Sequence, residues 1–507
     1  MKRALVLSLL VVFVNSTLAF AQANAVNPSD GSFPKSFDAY IRQTLEKMTD
    51  IPAVGIVVVK DDKPIFVHAY GVADMATGTK ADIDTLFYIA SSTKSFTALA
   101  AALLDREGKI KLSDPITKYA AGLNLKASIP DKVTVRDLLT HTSGLNNDPL
   151  AFRMAYSGES DAKEMARVFA GATTYDEAAF GKYKYDNLGY NIYAVLVKNY
   201  LKQDWQDVLQ EKIFKPLGMK HTTARISQAG QKNWTHAEGY IIDAATGKVI
   251  PAPLKKYDSN MQSAGGIFAS ISDIGRWLAV NMNDGKLDGK QIFPVDVIRA
   301  VHTGYTQTVR DAPPFVGNGE YGLGWQIGKY KSDKVIYHHG GFAGYRSHIS
   351  YLPDKKIAVA VLVNNDFQGN RAADLFATYA YDSLNGVPTL DADYSKDLAD
   401  AMEAYAKAKQ QMQGAAAQRA ARTSQLSMPL SKYVGRYTSE YSGTIEILEK
   451  DGGLLVTMGN IRVVPTPFTQ KETIRVEMIP GQGEVIKFNV VGDKVDSLSY
   501  GSTVFRK

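Results

Sequence analysis

The chain has 507 residues, 45% hydrophobic and 22% charged, and no cysteine. That composition suits a folded protein with a large core and more than one domain, and it excludes a disulfide framework, thiolate catalysis and cysteine-held metals. The formal net charge is +6, with Lys2 and Arg3 among its cations; over this length it is too small to imply nucleic acid or a membrane surface as partner.

Residues 1–23 read as an export signal: a basic start at Lys2-Arg3, an apolar run from Ala4 to Val14, and an Ala21-Gln-Ala23 cleavage site. The run is too short to span a bilayer easily, and no later stretch is long and apolar enough to do so. The expectation is an exported, periplasmic protein without an integral membrane segment. Phe37, Tyr40, Ile41, Leu45 and Met48 mark an amphipathic helix over 36–49. Ile51 to Val59 and Pro64 to Tyr70, joined at Asp61-Asp62, predict a hairpin.

Next comes Phe87-Tyr-Ile-Ala-Ser91-Ser-Thr-Lys94, at the start of a helix whose apolar positions are Phe96, Leu99, Ala100, Leu103 and Leu104. Three residues apart on a helix, Ser91 and Lys94 share a face. A serine needs a neighbouring base to act as a nucleophile. The spacing alone is weak, since Ser32-Phe-Pro-Lys35 repeats it by accident. Gly108 stops the helix.

Val133 to Leu139 predicts a short helix running into Thr140-His141-Thr-Ser-Gly-Leu145, where His141 reads as a structural loop residue. Residues 150–183 lack a clean period and read as an irregular or helical insert. Lys184-Tyr185-Asp-Asn187-Leu-Gly-Tyr190 precedes a helix with Leu188, Ile192, Val195 and Leu196 on one side. Trp205, Val208, Leu209 and Ile213 mark another, ending at Pro216-Leu-Gly-Met219. Ser263-Ala-Gly-Gly266 is a small-residue loop before a helix expected to be capped at Ser272-Asp273. Strands are expected to begin at Tyr321-Gly-Leu-Gly-Trp325 and over Val335–His339, Ser347–Leu352 and Ile357–Val363, with a helix over Arg371–Leu384. Early and late strands together imply one sheet built from both ends of this segment. Residues 391–427, rich in Ala, Gln, Lys and Asp, read as a helical connector. From Tyr433 the apolar period becomes two, with turns at Asp451-Gly-Gly453, Gly481-Gln-Gly483 and Gly492-Asp493, the pattern of a small barrel or sandwich.

Taken in order, these motifs resemble the penicillin-recognising serine hydrolases, in the branch of class C-type β-lactamases, D-Ala-D-Ala carboxypeptidases, D-aminopeptidases and esterases, over residues 36–385. Ser91-x-x-Lys94 resembles the first motif, Tyr185-x-Asn187 the second and His338-His339-Gly340 the third, with Gly344 six positions after His338 setting the register. Leu138 to Leu145, Pro216 to Met219, Gly265-Gly266 and Tyr321 to Trp325 support it. The resemblance implies an α+β fold: an antiparallel sheet flanked by helices with an all-helical subregion, plus a small C-terminal antiparallel β-barrel similar to the lipocalin-like domain appended to some relatives. The expected divisions are a signal peptide at 1–23, the hydrolase at 24–388, a helical linker at 389–428 and the barrel at 429–507.

The resemblance also implies roles. Ser91 attacks a carbonyl and is acylated, while Lys94 and Tyr185 share the proton work. Asn187 binds Lys94 and a substrate amide. His338 orients Tyr185 or donates to a substrate carboxylate. The N–H groups of Ser91 and Gly341 form an oxyanion hole beside Gly340. His339 should face the other way along its strand. Two departures bear on the substrate. The third motif lacks the Lys and Thr that β-lactamases carry. Asp186 sits where a small residue is usual; pointed into the site, its negative charge would bind Lys94 or a cationic amine of the substrate. The implied activity is hydrolysis of a small peptide or amide, with a D-residue as one option. The alternatives are a short-chain esterase, then a β-lactamase, or a non-catalytic binder of peptidoglycan fragments or acyl groups. No cofactor is assigned. No metal is assigned either, since no ligand motif joins the His338-His339 pair. The C-terminal domain is a candidate surface for homo-oligomers.

Overall fold

The structure is a computed structural model that describes residues 33–308, 314–388 and 390–507. The expected leader at 1–23 lies outside the described residues. The main sheet has nine antiparallel strands and is built from both ends of its segment, as the sequence suggests. Ala53–Lys60 lies between its hairpin partner Lys63–Asp74 and the late strand Ile357–Val363. Beyond Ile357–Val363 follow Tyr345–Leu352, Asp333–Phe342, Gln326–Tyr330 and Val316–Tyr321.

Ala53–Lys60 reads as a continuous apolar run because both its faces are covered. Ile56 and Val58 point to one side, with the helices Phe33–Lys47 and Gly369–Leu384. Val57 and Val59 point to the other, where Ile271–Met282 packs. That helix is capped by Ser270, whose hydroxyl accepts the Asp273 N–H, two residues before the Ser272 expected from sequence. Tyr321 ends a strand rather than beginning one; the sheet resumes at Gln326 after a turn in which Gly324 takes φ +75°.

The second face carries the all-helical region. The helix Thr93–Arg106 runs through its core, beside Leu188–Leu201, Val135–Leu139 and Ala162–Ala172. Val135–Leu139 is fixed by a capping box between Thr134 and Asp137. The insert at 150–183 holds Asp148–Phe152, a wide turn over Arg153–Ser157, and Ala162–Ala172.

The Ala-rich connector is a single helix, Leu390–Ala420. Beyond it, nine antiparallel strands curl around a core of Tyr433, Tyr437, Ile445, Val456 and Phe488. The end strands of this sheet, Ile461–Val463 and Thr466–Pro467, do not pair with each other, so it is an open half-barrel rather than a closed barrel. Its core also packs Phe342, Ala343, Phe152 and Tyr156 of the larger domain. The half-barrel therefore seats on the end of the strand that carries His338 to Gly341. None of the described helices is long and apolar enough to cross a membrane.

Candidate active site

Ser91 sits on a single 3₁₀ turn, Ala90–Ser92, immediately before the helix Thr93–Arg106. Ala90 holds φ +46°, a left-handed conformation that an alanine adopts only under constraint. The constraint is visible. The Ile89 carbonyl accepts the Ser347 hydroxyl at 2.7 Å, and Ser92 Oγ lies 3.1 Å from the His338 carbonyl and 2.9 Å from Ser347 Oγ. These contacts stitch the turn to the strands Asp333–Phe342 and Tyr345–Leu352. Gly340 meets it closely enough that a Cβ there would lie 2.0 Å from the Ile89 oxygen.

One helical step on, Lys94 is fully buried. Its Nζ donates to Asn187 Oδ1 at 2.8 Å, to the Ala264 carbonyl at 2.9 Å and to Ser91 Oγ at 3.3 Å. Three acceptors match the three N–H bonds of an ammonium group. The Ala264 carbonyl is held in place because Thr97 and Thr93 of the same helix bind Ser263 O and Ile267 N. Asn187 stands at the start of Leu188–Leu201. The Tyr185 ring, 39% exposed, has its centre 4.8 Å from Lys94 Nζ, and Tyr190 stands at 5.6 Å. Three distant segments thus converge on one hydroxyl and one amine.

His338 is buried beside them, with its ring centre 6.3 Å from that of Tyr185. Burial, with the charge of Lys94 second, holds its imidazole well below the usual histidine range. The neutral ring donates from Nδ1 to the His339 carbonyl at 2.7 Å and accepts the Tyr321 hydroxyl at Nε2, 3.3 Å away. Both nitrogens are engaged, so the expected donation to a substrate carboxylate has no free N–H behind it. His339 faces the other side of the strand, against His348 and Phe315.

Of the two partners expected for Asp186, Lys94 is not bonded to it; the polar contacts of Lys94 are Asn187, Ala264 and Ser91. The Asp186 carboxylate accepts the Gly189 N–H at the start of the following helix and lies 3.8 Å from His141 Nδ1. An acidic residue near an unpaired helix N-terminus finds its partner there. Burial raises the Asp186 carboxyl, but His141, the Gly189 N–H and the charge of Lys94 outweigh it, and its pKa falls below the usual value.

Sequence reasoning treated His141 as a loop residue. In the structure it is buried at φ +62°, with its ring against Tyr185 at 4.6 Å, Tyr321 at 4.8 Å and Tyr190 at 5.5 Å. Ser92, Ser347, Ala264 and Tyr321 are also part of the site and were not singled out for it. Ser347 shares its strand with Arg346, His348 and Ser350, so its polarity alone did not mark it for the site. A backbone carbonyl such as that of Ala264 carries no signal.

A profile described as Beta-lactamase matches residues 37–381, more than half of the chain. The chain belongs to the Beta-lactamase family. The stretch that matches holds all three motifs. Among relatives, an unguisins hydrolase of Aspergillus violaceofuscus is 26% identical over 412 residues, covering 76% of this chain and 70% of its own. Protein flp of Staphylococcus aureus is 24% identical over 335 residues, 65% of this chain and 63% of its own. Among solved structures, the octameric penicillin-binding protein homologue from Pyrococcus abyssi is similar at TM-score 0.58 and 22% identity, over 93% of this chain and 99% of that one. That likeness shows the shared fold, half-barrel included.

Burial in this region makes stability depend on pH. His141, His338 and His302 all titrate below the ordinary value of 6.5, and burial brings His302 down to about 3. Below pH 6.5 the unfolded chain binds protons that the folded chain refuses, so stability rises with pH there. The contribution is complete above about 6.5 and is lost as pH falls toward the folded values. We expect Tm to drop on the order of 10 °C between pH 7 and 4.5. A Tm constant over that interval in a calorimetric series would contradict the buried, neutral histidines.

Proposed function

We propose that this protein is an exported serine hydrolase that cleaves a small peptide or amide through an acyl-enzyme on Ser91. One observation carries the reading: Lys94 Nζ lies 3.3 Å from Ser91 Oγ, inside a cage of neutral acceptors and against the Tyr185 ring. A buried cation beside a hydroxyl favours the alkoxide that forms as the proton leaves. With its three N–H bonds directed at acceptors, Lys94 serves as the electrostatic partner, and Tyr185 takes the proton and returns it to the leaving group. The N–H groups of Ser91 and Gly341 hold the oxyanion of the tetrahedral intermediate. His338 acts through Tyr321 and Tyr185 as a positioning residue. Asn187 holds Lys94 and faces the substrate amide. The relatives support hydrolysis as the reaction class.

A β-lactamase reading is weaker, because the third motif lacks Lys and Thr and His338 offers no free donor. Export rests on the leader pattern at 1–23 and predicts a mature chain beginning at Asn24, which N-terminal sequencing of the fractionated protein checks. Assembly is proposed through the half-barrel, where Val464, Val491 and Val504 are exposed; light scattering of the purified protein reads it.

The test is a fluorophosphonate probe followed by intact mass and peptide mapping, with p-nitroanilide, p-nitrophenyl ester and nitrocefin substrates run beside it. The expected result is one adduct per chain at Ser91 and faster turnover of anilides than of nitrocefin. A chain that gives no adduct is a binder rather than an enzyme. An adduct accompanied by ester turnover alone moves the substrate class to esters.

A further inference from the structure

The strand that carries His338 into the active site carries His339 out of its other face. Directly across the ladder, His339 pairs with His348. Above both lies Asp374 on the helix Gly369–Leu384. His339 Nε2 is 3.2 Å from His348 Nδ1, His348 Nδ1 is 2.9 Å from Asp374 Oδ1, and His339 Nε2 is 3.7 Å from the same oxygen. The geometry points to a binding site for a divalent first-row cation of the zinc type, held by His339, His348 and Asp374.

The triangle has the right size. Two nitrogens and an oxygen each about 2.0–2.2 Å from zinc stand roughly 3.0–3.5 Å apart at tetrahedral or octahedral angles. The hydrogen bonding around His348 is compatible with a ligand role. His348 Nε2 lies 2.7 Å from Ser350 Oγ, which lies 2.7 Å from the Tyr381 hydroxyl. Without a cation, Nδ1–H donates to Asp374 Oδ1 at 2.9 Å; with one, the ring keeps its proton on Nε2, donated to Ser350 Oγ, and turns the Nδ1 lone pair to the metal. A metal-bound histidine handing its other N–H to a fixed partner is the usual support of such a site. His348 and Asp374 are buried, while His339 is 26% exposed and leaves one side open for water as a further ligand. Imidazole and carboxylate donors suit zinc, cobalt and nickel better than magnesium or calcium. Sequence spacing hides the set, because strand register and helix packing, not a local motif, bring the three together.

The experiment uses the whole chain after chelator treatment and dialysis, titrated with Zn²⁺ by calorimetry and with Co²⁺ by visible absorption. Wild type and Ser91→Ala are expected to bind one cation per chain, with Tm rising on addition of Zn²⁺ and Co²⁺ giving ligand-field bands. His339→Ala, at the open rim where folding tolerates the change, and Asp374→Asn are each expected to weaken binding by roughly a hundredfold or more. Circular dichroism verifies their folds, and His339→Ala alone decides the matter if Asp374→Asn fails to fold. Absence of saturable binding up to about 100 μM cation, far above structural-site affinities, overturns the assignment. So does binding undiminished in His339→Ala.

Discussion

Replacing Lys94 by methionine lowers turnover, or the rate of fluorophosphonate labelling, by on the order of 10³-fold or more while leaving the fold nearly as stable as before. The two halves of that expectation have separate causes. Lys94 is buried with three neutral acceptors and no carboxylate among its hydrogen-bond partners. Its removal strands Asn187 Oδ1 and the Ala264 carbonyl, at about 1–3 kcal/mol each. It also removes a desolvated charge, whose burial costs several kcal/mol. Methionine fills much of the same volume. The stability terms therefore oppose each other, whereas the catalytic terms do not, since no other cation contacts Ser91 among the described residues. Ser91→Ala gives a comparable loss, and the double variant should be no worse than the poorer single, because groups that act as a unit do not multiply. A Lys94→Met protein within tenfold of wild type, or a double variant whose losses multiply, would mean that the two side chains do not share one step.

The nearness of Ser91 and Lys94 was legible because a helix fixes the relation between residues three apart, whatever surrounds them. The sheet was legible for a similar reason: Val54 to Val59 is apolar at every position, which demands cover on both faces. What escaped depended on competition or on distant backbone. Asp186 had two partners to choose between, the ammonium of Lys94 and the open N–H groups of the next helix; the nearer backbone and His141 took it, and nothing in Tyr-x-Asn decides that contest. The cap at Ser270 rather than Ser272 reflects two serines equally suited to the task, separated by which residue the adjoining strand leaves extended. Whether the C-terminal strands close into a barrel turns on a few residues between Val463 and Thr466, too short a signal for periodicity to read. His141 shows the limit most clearly. Its loop position was evident, but its positive φ and its place among four tyrosines, Tyr183, Tyr185, Tyr190 and Tyr321, exist only once these segments have packed.

Gly340→Ala is expected to cut the labelling rate of Ser91 by about 100-fold and to cost about 1–3 kcal/mol of stability. The new methyl would lie 2.0 Å from the Ile89 carbonyl oxygen and 2.3 Å from Ser347 Oγ. Neither neighbour yields easily. Ile89 is backbone in the turn that presents Ser91, and Ser347 Oγ is bonded to that same carbonyl and to Ser92. Relief requires the strand Asp333–Phe342 and the nucleophile turn to part by about an ångström, enough to spoil a reacting geometry. Such a shift also pulls the Gly341 N–H away from the Ser91 N–H, the two groups proposed to share the oxyanion. The neighbouring substitution separates this from ordinary crowding. At Gly341 a Cβ would meet Arg346 Nη1 at 2.8 Å, the far end of a long side chain that can swing aside. Gly341→Ala keeps its N–H and should retain labelling within roughly tenfold. If both variants label alike, and Gly340→Ala melts with the wild type, the contact between that strand and the turn does not set the position of the serine.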